Sequence, residues 1–416
     1  MLIQFSFKNY KSFRDEAILD LSATKITEFG ERVVEIGNEK LLPAAAIFGA
    51  NASGKSNVIE AFRFMVSYVL ESFAYGGEGS KAKRMKCPPF MFDRESKDEG
   101  STFEVYFISS EEDGCKTYNY GFTIDQSGVA EEWLNTKSKT ARKFKRVIYR
   151  SNEELDLSGL PAKSQENIRI ALEKEALVIS LGAKLKIAKL KAIRDWFSTV
   201  SFADFGNPVE NYFLSSRIPE GFAEDRAVQK KVADYFASFD PSIIDFNVEV
   251  IDEDNEAKRV RIDAIHQIVG SEETVSIPLE EESAGTLKMF ALYPVLQEAL
   301  ENGGVLLVDE LNARLHPLLV RTFVIAFLNP EINKKHAQLI FTTHEAWQMG
   351  NNMLRRDEIW FTEKDADGVS TLYSLADFVD ADGVKIRKDE SYEKNYLLGK
   401  YGAIPTLRSF DMFTEA

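Results

Sequence analysis

The octapeptide Gly49-Ala50-Asn51-Ala52-Ser53-Gly54-Lys55-Ser56 restricts what this chain can fold into more than any other stretch of it. It completes the pattern GxxxxGK(S/T), in which consecutive backbone N–H groups surround a nucleotide β-phosphate. Both flanks agree with that reading, which disfavours a chance match. Ala44 to Phe48 form a short apolar run suited to a buried strand, and Val58, Phe62, Met65, Val66 and Val69 recur at helical spacing. A strand, a glycine loop and a helix N-terminus make a phosphate cradle. The candidate nucleotide-binding residues are therefore Gly49, Asn51, Ala52, Ser53, Gly54, Lys55, Ser56 and Asn57. Lys55 is placed to reach the β- and γ-phosphates and the Ser56 hydroxyl to hold Mg²⁺, so the expected cofactors are ATP and Mg²⁺.

The chain is 416 residues long and 44% hydrophobic, enough for two or three domains with real cores. A formal net charge of -15 makes the molecule as a whole repel nucleic acid and anionic membranes. Any such contact must come from a local basic patch. Cys87 and Cys115 show neither metal-ligand spacing nor a disulfide framework. No apolar run approaches the roughly 18 to 20 residues of a membrane span. The opening "MLIQFSFKNYKSFRDEAILDLS" alternates and is charged, unlike a secretion signal. A cytoplasmic protein is expected.

A phosphate loop needs an acidic partner. In "GGVLLVDELN", Gly303-Gly304 break a helix, Val305 to Val308 make a buried strand, and Asp309-Glu310 stand at its C-terminal end, where open α/β sheets place their ligands. Asp309 is the candidate Mg²⁺ residue and Glu310 the candidate base for the attacking water. The alternative use of these acids is to cap the following helix. The loop and the acids lie about 250 residues apart, the layout of ABC-type ATPase heads, and no NKxD guanine motif is present. In such heads a signature loop precedes the acidic strand by one helix. Ser283-Ala284-Gly285-Thr286, in "EESAGTLKMF", occupies that place about 25 residues upstream. Ser283 is also a good helix N-cap. The two roles are compatible, because a signature serine presents a helix N-terminus to a γ-phosphate held by the other subunit, which makes Ser283 and Gly285 candidate ligands in trans. A further apolar strand, Leu339 to Phe341, ends in Thr342-Thr343-His344, and His344 is the candidate switch histidine facing the γ-phosphate. His316 is expected to shape the loop after the acids; His266 and His336 suggest no role.

With these motifs in order, the chain resembles the ABC-type AAA ATPases of bacterial phage-defence and abortive-infection systems, of the RloA and AbiL type, relatives of the OLD, RecF and SMC heads. The segments that carry the resemblance are "FSFKNYKSFRDEAILDLSA", "IFGANASGKSNVIEA", "SAGTLKMFALYPVL", "GGVLLVDELNARLHP", "IFTTHE" and the end "LRRDEIWFTEKDADGVSTLYSLADF" with "YLLGKYGAIP". It implies an ATPase that dimerises, or assembles further, around sandwiched ATP and controls a separate effector, a nuclease or toxin. Three departures qualify it. The signature has one glycine where the stricter pattern has two, Asn312 and Arg314 stand where an acidic residue is usual, and "CPPFMFDRES" lacks the expected glutamine. Slow turnover is the expectation.

The expected fold is α/β, a P-loop NTPase of ABC-head type with an antiparallel β lobe and an inserted helical subdomain. The expected division is 1–162 with the phosphate loop and β lobe, 163–245 as the helical insertion, and 246–416 with the remaining motifs and a terminal hairpin turning at Asp365-Ala366-Asp367-Gly368. Only about 70 residues follow His344, too few for the nuclease domain of OLD proteins. Glu363, Asp365 and Asp367 read as a charged hairpin tip. The basic stretch "KSKTARKFKR", Lys137 to Arg146, is a candidate nucleic-acid contact or, alternatively, a solvated strand edge. A RecF-like DNA-repair ATPase and an OLD-like nuclease subunit are the competing functions.

Overall fold

A computed structural model gives the structure of the chain. It describes residues 1–76, 82–111, 114–139, 141–207, 209–210, 218–237, 240–251, 259–313, 315–350, 352–379, 383 and 385–405. Its centre is a six-stranded sheet in the order β11 (Val200–Asp204), β15 (Val305–Asp309), β16 (Gln338–Thr342), β5 (Ala44–Gly49), β17 (Ile359–Lys364) and β18 (Ser370–Ser374). All neighbours are parallel except the β17–β18 hairpin. Central parallel strands are covered on both faces and read as continuous apolar runs. β5, β15 and β16 are buried at every position.

Strand alternation sends these side chains into two cores. Ala45, Ile47, Val305, Leu307 and Ile340 join α1 (Lys55–Glu71) in the first. Ala44, Ala46, Phe48, Leu306, Val308 and Phe341 join α6 (Ala284–Asn302) and α7 (Pro317–Leu328) in the second. The helix after the phosphate loop and the helix after Ser283 therefore cover opposite faces of one sheet.

The first core is closed by a seven-stranded antiparallel sheet, ordered β10 (Leu155–Asp156), β9 (Lys145–Arg150), β8 (Gly128–Ser138), β7 (Gly114–Asp125), β6 (Ser101–Glu111), β1 (Leu2–Lys8) and β2 (Ala17–Asp20). α1 lies between the two sheets: Phe62 stacks on Phe5 with ring centroids 4.5 Å apart and meets Phe202 edge-on. Gln338 joins the sheets through the backbone, accepting from Leu2 N at 2.6 Å and donating to Leu2 O and Leu42 O. A ribbon of β3 (Val34–Ile36) and β4 (Glu39–Leu41) leads into β5, and a three-stranded sheet of β12 (Ile243–Ile251), β13 (Arg259–Gln267) and β14 (Thr274–Pro278) precedes α6. The short α8 (Tyr392–Leu397) packs Tyr396 on Phe361 of β17.

The expected single helical insertion over 163–245 is corrected. α2 (Ala162–Ala171), α3 (Val178–Lys184) and α4 (Ala188–Phe197) bury Ile168, Val178, Ile179, Ile193 and Phe197 in the first core, so they belong to the β lobe. Within the same stretch β11 is an edge strand of the central sheet, and α5 (Arg226–Ala237) packs with β12 in the second core. Helical periodicity cannot reveal which core a helix serves. The stretch Lys137 to Arg146 runs from the end of β8 into the start of β9, and because β10 pairs only with Tyr149 and Arg150, Lys145 and Arg146 stand on an exposed edge of the sheet, as the strand-edge alternative expects. Lys137 lies 3.3 Å from Glu39, and Arg146 lies 3.9 Å from both Glu154 and Asp156. Thr140 of this stretch, and Arg314, lie outside the described residues. Among the described residues no helix is long and apolar enough to cross a membrane.

Candidate nucleotide site

At the C-terminal end of β5 the chain turns through Gly49 (φ 153°), Ala52 (φ 63°) and Gly54 (φ 115°). The glycines answer steric need as well as backbone angle: a Cβ on Gly49 would lie 2.4 Å from Thr362 O, and one on Gly54 2.7 Å from Ser370 Oγ. The loop is braced from behind by the terminal hairpin. Ser53 Oγ and Thr362 Oγ1 are 2.6 Å apart, while Ser370 Oγ donates to Ser53 O (2.7 Å) and lies 2.8 Å from Ser12 Oγ. Asn57 Nδ2 donates to the same Ser12 Oγ at 2.7 Å, so its side chain serves the bracing. Ser12, Thr362 and Ser370 were not legible in the sequence; they become neighbours only through pairing across the whole chain.

Lys55 is buried, and its Nζ folds back to donate to Gly49 O and Ala50 O, both at 2.9 Å. Burial lowers its pKa to about 8, against the pull of Asp309 and Glu310. One strand away from β5, Asp309 is buried at the end of β15 and accepts from Thr342 Oγ1 at 2.5 Å. The same hydroxyl accepts from Glu310 N at 2.8 Å. Asp204, opposite Asp309 on β11, has its pKa raised by burial and then by Asp309. Glu310 adopts φ 51°, a conformation uncommon for a residue with a side chain. Its carboxylate lies against Gly206, where a Cβ would sit 2.9 Å from Glu310 Cδ. Sequence reasoning missed Asp204 and Gly206.

His344 follows β16, and its backbone N donates to Asn312 Oδ1 at 3.4 Å. Desolvation and then Lys55 push its pKa below the usual value, with Glu310 and Asp309 opposing. Lys55, Asp309, Glu310 and His344 thus share one electrostatic site. The acids do not cap the next helix: the N-cap of α7 is His316, whose Nδ1 accepts from Leu318 N at 3.2 Å.

Ser283 and Gly285 stand elsewhere. Ser283 is the N-cap of α6, its Oγ accepting from Thr286 N at 3.1 Å, and Gly285 lies in the first turn. Their link to the acidic strand runs through Lys288, another residue the sequence did not reveal. Lys288 Nζ donates to Leu311 O (3.0 Å), Ala313 O (2.5 Å) and Glu310 O (3.4 Å), and lies 4.1 Å above the Phe205 ring.

The Ser56 hydroxyl and the Asp309 carboxylate are hard oxygen donors, the type Mg²⁺ takes, and the half-buried Asp204 beside the buried Asp309 favours added positive charge. Among the described residues no cluster of three or more His, Cys, Asp or Glu could hold a metal by itself. Mg²⁺ usually completes its shell with substrate phosphates and water, so the pair fits it. Glu363, Asp365 and Asp367 are in the β17–β18 hairpin, where Asp365 Oδ1 accepts from Asp367 N (3.0 Å) and Val369 N (2.8 Å) to form the turn.

Residues 44–346, well over half of the chain, match the protein family described as "AAA domain, putative AbiEii toxin, Type IV TA system". The chain belongs to this family. The match runs from β5, which leads into the phosphate loop, to just past His344, so every candidate nucleotide-site residue of this AAA protein falls within it. The family makes the chain a P-loop ATPase in an abortive-infection-related setting. No curated protein matches it.

Proposed function

We propose that this AAA protein is a slow ABC-type ATPase of a bacterial anti-phage defence system, close in kind to RloA- and AbiL-type proteins. It works in the cytoplasm, pairs head to head across two ATP molecules, and controls a separate effector, a nuclease or toxin. The observation that carries the reading is the placement of Ser283 and the phosphate loop on helices covering opposite faces of one sheet. A γ-phosphate held by Lys55 then meets the α6 N-terminus of a second copy.

In this reading Lys55 exchanges its two backbone carbonyls for phosphate oxygens. Ser56 and Asp309 hold Mg²⁺, which supplies charge neutralisation at those oxygens. Glu310 orients and deprotonates the attacking water, and His344, kept neutral by its surroundings, faces the γ-phosphate as hydrogen-bond partner. Lys288 joins the signature helix to the loop after Glu310, so closure on one side reaches the base on the other.

Glu310→Gln tests this directly. ATP binding should persist, hydrolysis should fall by about 10² or more, and light scattering should show a dimer that accumulates with ATP·Mg²⁺. Rapid turnover in this variant, or a monomer saturated with ATP, refutes it. The competing DNA-repair reading has less support, because Lys137 and Arg146 already face acids of their own chain. Salt-dependent DNA binding lost on charge reversal there would favour it.

A further inference from the structure

His266 drew no attention in the sequence, yet it occupies a junction. It lies on β13, paired with Ile243 of β12 on one side and Val275 of β14 on the other. Its Nε2 is 2.7 Å from Glu282 Oε1, and both side chains are nearly enclosed, at 13% and 10% exposure. Its Nδ1 is 3.2 Å from Ser242 Oγ, which in turn donates to Asp240 Oδ1 at 2.6 Å. With both ring nitrogens engaged, the ring is fixed in plane and direction. Glu282 is the residue immediately before Ser283, the N-cap of α6.

The unit behind His266 is itself braced. Arg226, the first residue of α5, binds Asp245 and donates to Phe246 O at 3.1 Å. Phe222, Phe236 and Phe246 surround Phe290 of α6, with ring centroids 5.5 to 6.0 Å from it. The aromatic contact holds the body of α6. The polar contact holds its first turn, the part that carries Ser283 and Gly285. Apolar packing resists separation but permits rotation and sliding; a short hydrogen bond at the chain's entry into the helix restricts its direction.

We propose that His266 is a positioning residue for the nucleotide site: through Glu282 it orients the N-terminal turn of α6, so that the three-stranded sheet β12–β14 sets how well Ser283 meets the γ-phosphate of a second copy. The inference rests on the reading of Ser283 as a trans ligand. It makes the β12–β14 sheet the place where an event outside the nucleotide site enters it, because displacement of β13 moves His266, and His266 moves the residue before the cap.

The test compares His266→Ala, His266→Gln, Glu282→Ala and the double alanine variant with Ser283→Ala, all in the full chain. ATP affinity of the nucleotide-binding half is read from equilibrium binding, kcat and KM from steady-state hydrolysis, and pairing from ATP-dependent light scattering. For His266→Ala, ATP affinity should stay within about twofold while kcat falls about tenfold or more and pairing weakens. The double variant should be no worse than either single one, the sign that both act through one contact. Gln, whose amide nitrogen can stand in for Nε2, should restore most of kcat. If Ser283→Ala lowers kcat and His266→Ala does not, the inference fails while the trans reading survives. If Ser283→Ala itself leaves kcat unchanged, the trans reading fails and takes this inference with it. Equal losses of affinity and kcat with no rescue by Gln would mark His266 as merely structural and overturn the proposal.

Discussion

Lys55 shows how a single side chain adjusts to burial. Its ammonium folds onto two carbonyls of its own loop, and desolvation brings its pKa to about 8. Only the protonated form attracts phosphate. Below about pH 8 that form dominates, and above it the neutral share grows, so ATP affinity should fall as pH rises through about 8, by at most about tenfold per unit. Calorimetry above that pH, in buffers of differing ionisation heat, should show a proton taken up on binding. A flat affinity from pH 7 to 10 would contradict this. Gly206 supplies a second residue-scale prediction. Gly206→Ala forces its Cβ to 2.9 Å from Glu310 Cδ, so the carboxylate proposed as the base must move. Turnover should fall about tenfold or more with ATP affinity nearly unchanged. The sequence announced Lys55, because a chemical motif is local. It was silent on Gly206, Lys288 and His266, because their meaning lies in which distant atoms they face.

At the scale of elements, the β lobe and its helices are joined by a buried acid. Glu132 of β8 is fully enclosed; its Oε2 accepts from Val178 N (2.7 Å), and its Oε1 from Ile179 N and Tyr120 OH (both 3.1 Å). It serves as a cap for α3 supplied by a strand rather than by the helix's own sequence. Glu132→Ala leaves those donors without partners and should cost about 2–4 kcal/mol, read as a lowered urea midpoint; Glu132→Gln should cost less. An unchanged midpoint for the alanine variant would remove the cap assignment. The same borrowing explains what sequence periodicity delivered and what it withheld. It found β5, β15, β16 and the turn at Asp365, whose patterns are written in consecutive residues. It put β11 inside a helical segment, because an edge strand of five residues, Val200–Asp204, carries little pattern of its own and is specified by pairing with β15.

For the whole molecule, the decisive prediction concerns two copies. Ser283→Ala and Lys55→Ala, each inactive alone, should recover turnover when mixed, because a mixed pair holds one intact site. Random pairing sets the expectation at about a quarter of the wild-type rate. No recovery, with mixed pairs shown to form, would mean that Ser283 does not act on a partner's nucleotide. The fold also dictates when such a site can first exist. β5, the strand that launches the phosphate loop, is flanked by β16 and β17, which follow it by roughly three hundred residues, and the loop rests on Thr362 and Ser370. On the ribosome, the phosphate loop emerges long before either neighbour is made, and an all-apolar strand waits without its sheet. A chain that stops short of β17 and β18 therefore lacks the strands and hydroxyls on which its phosphate loop rests.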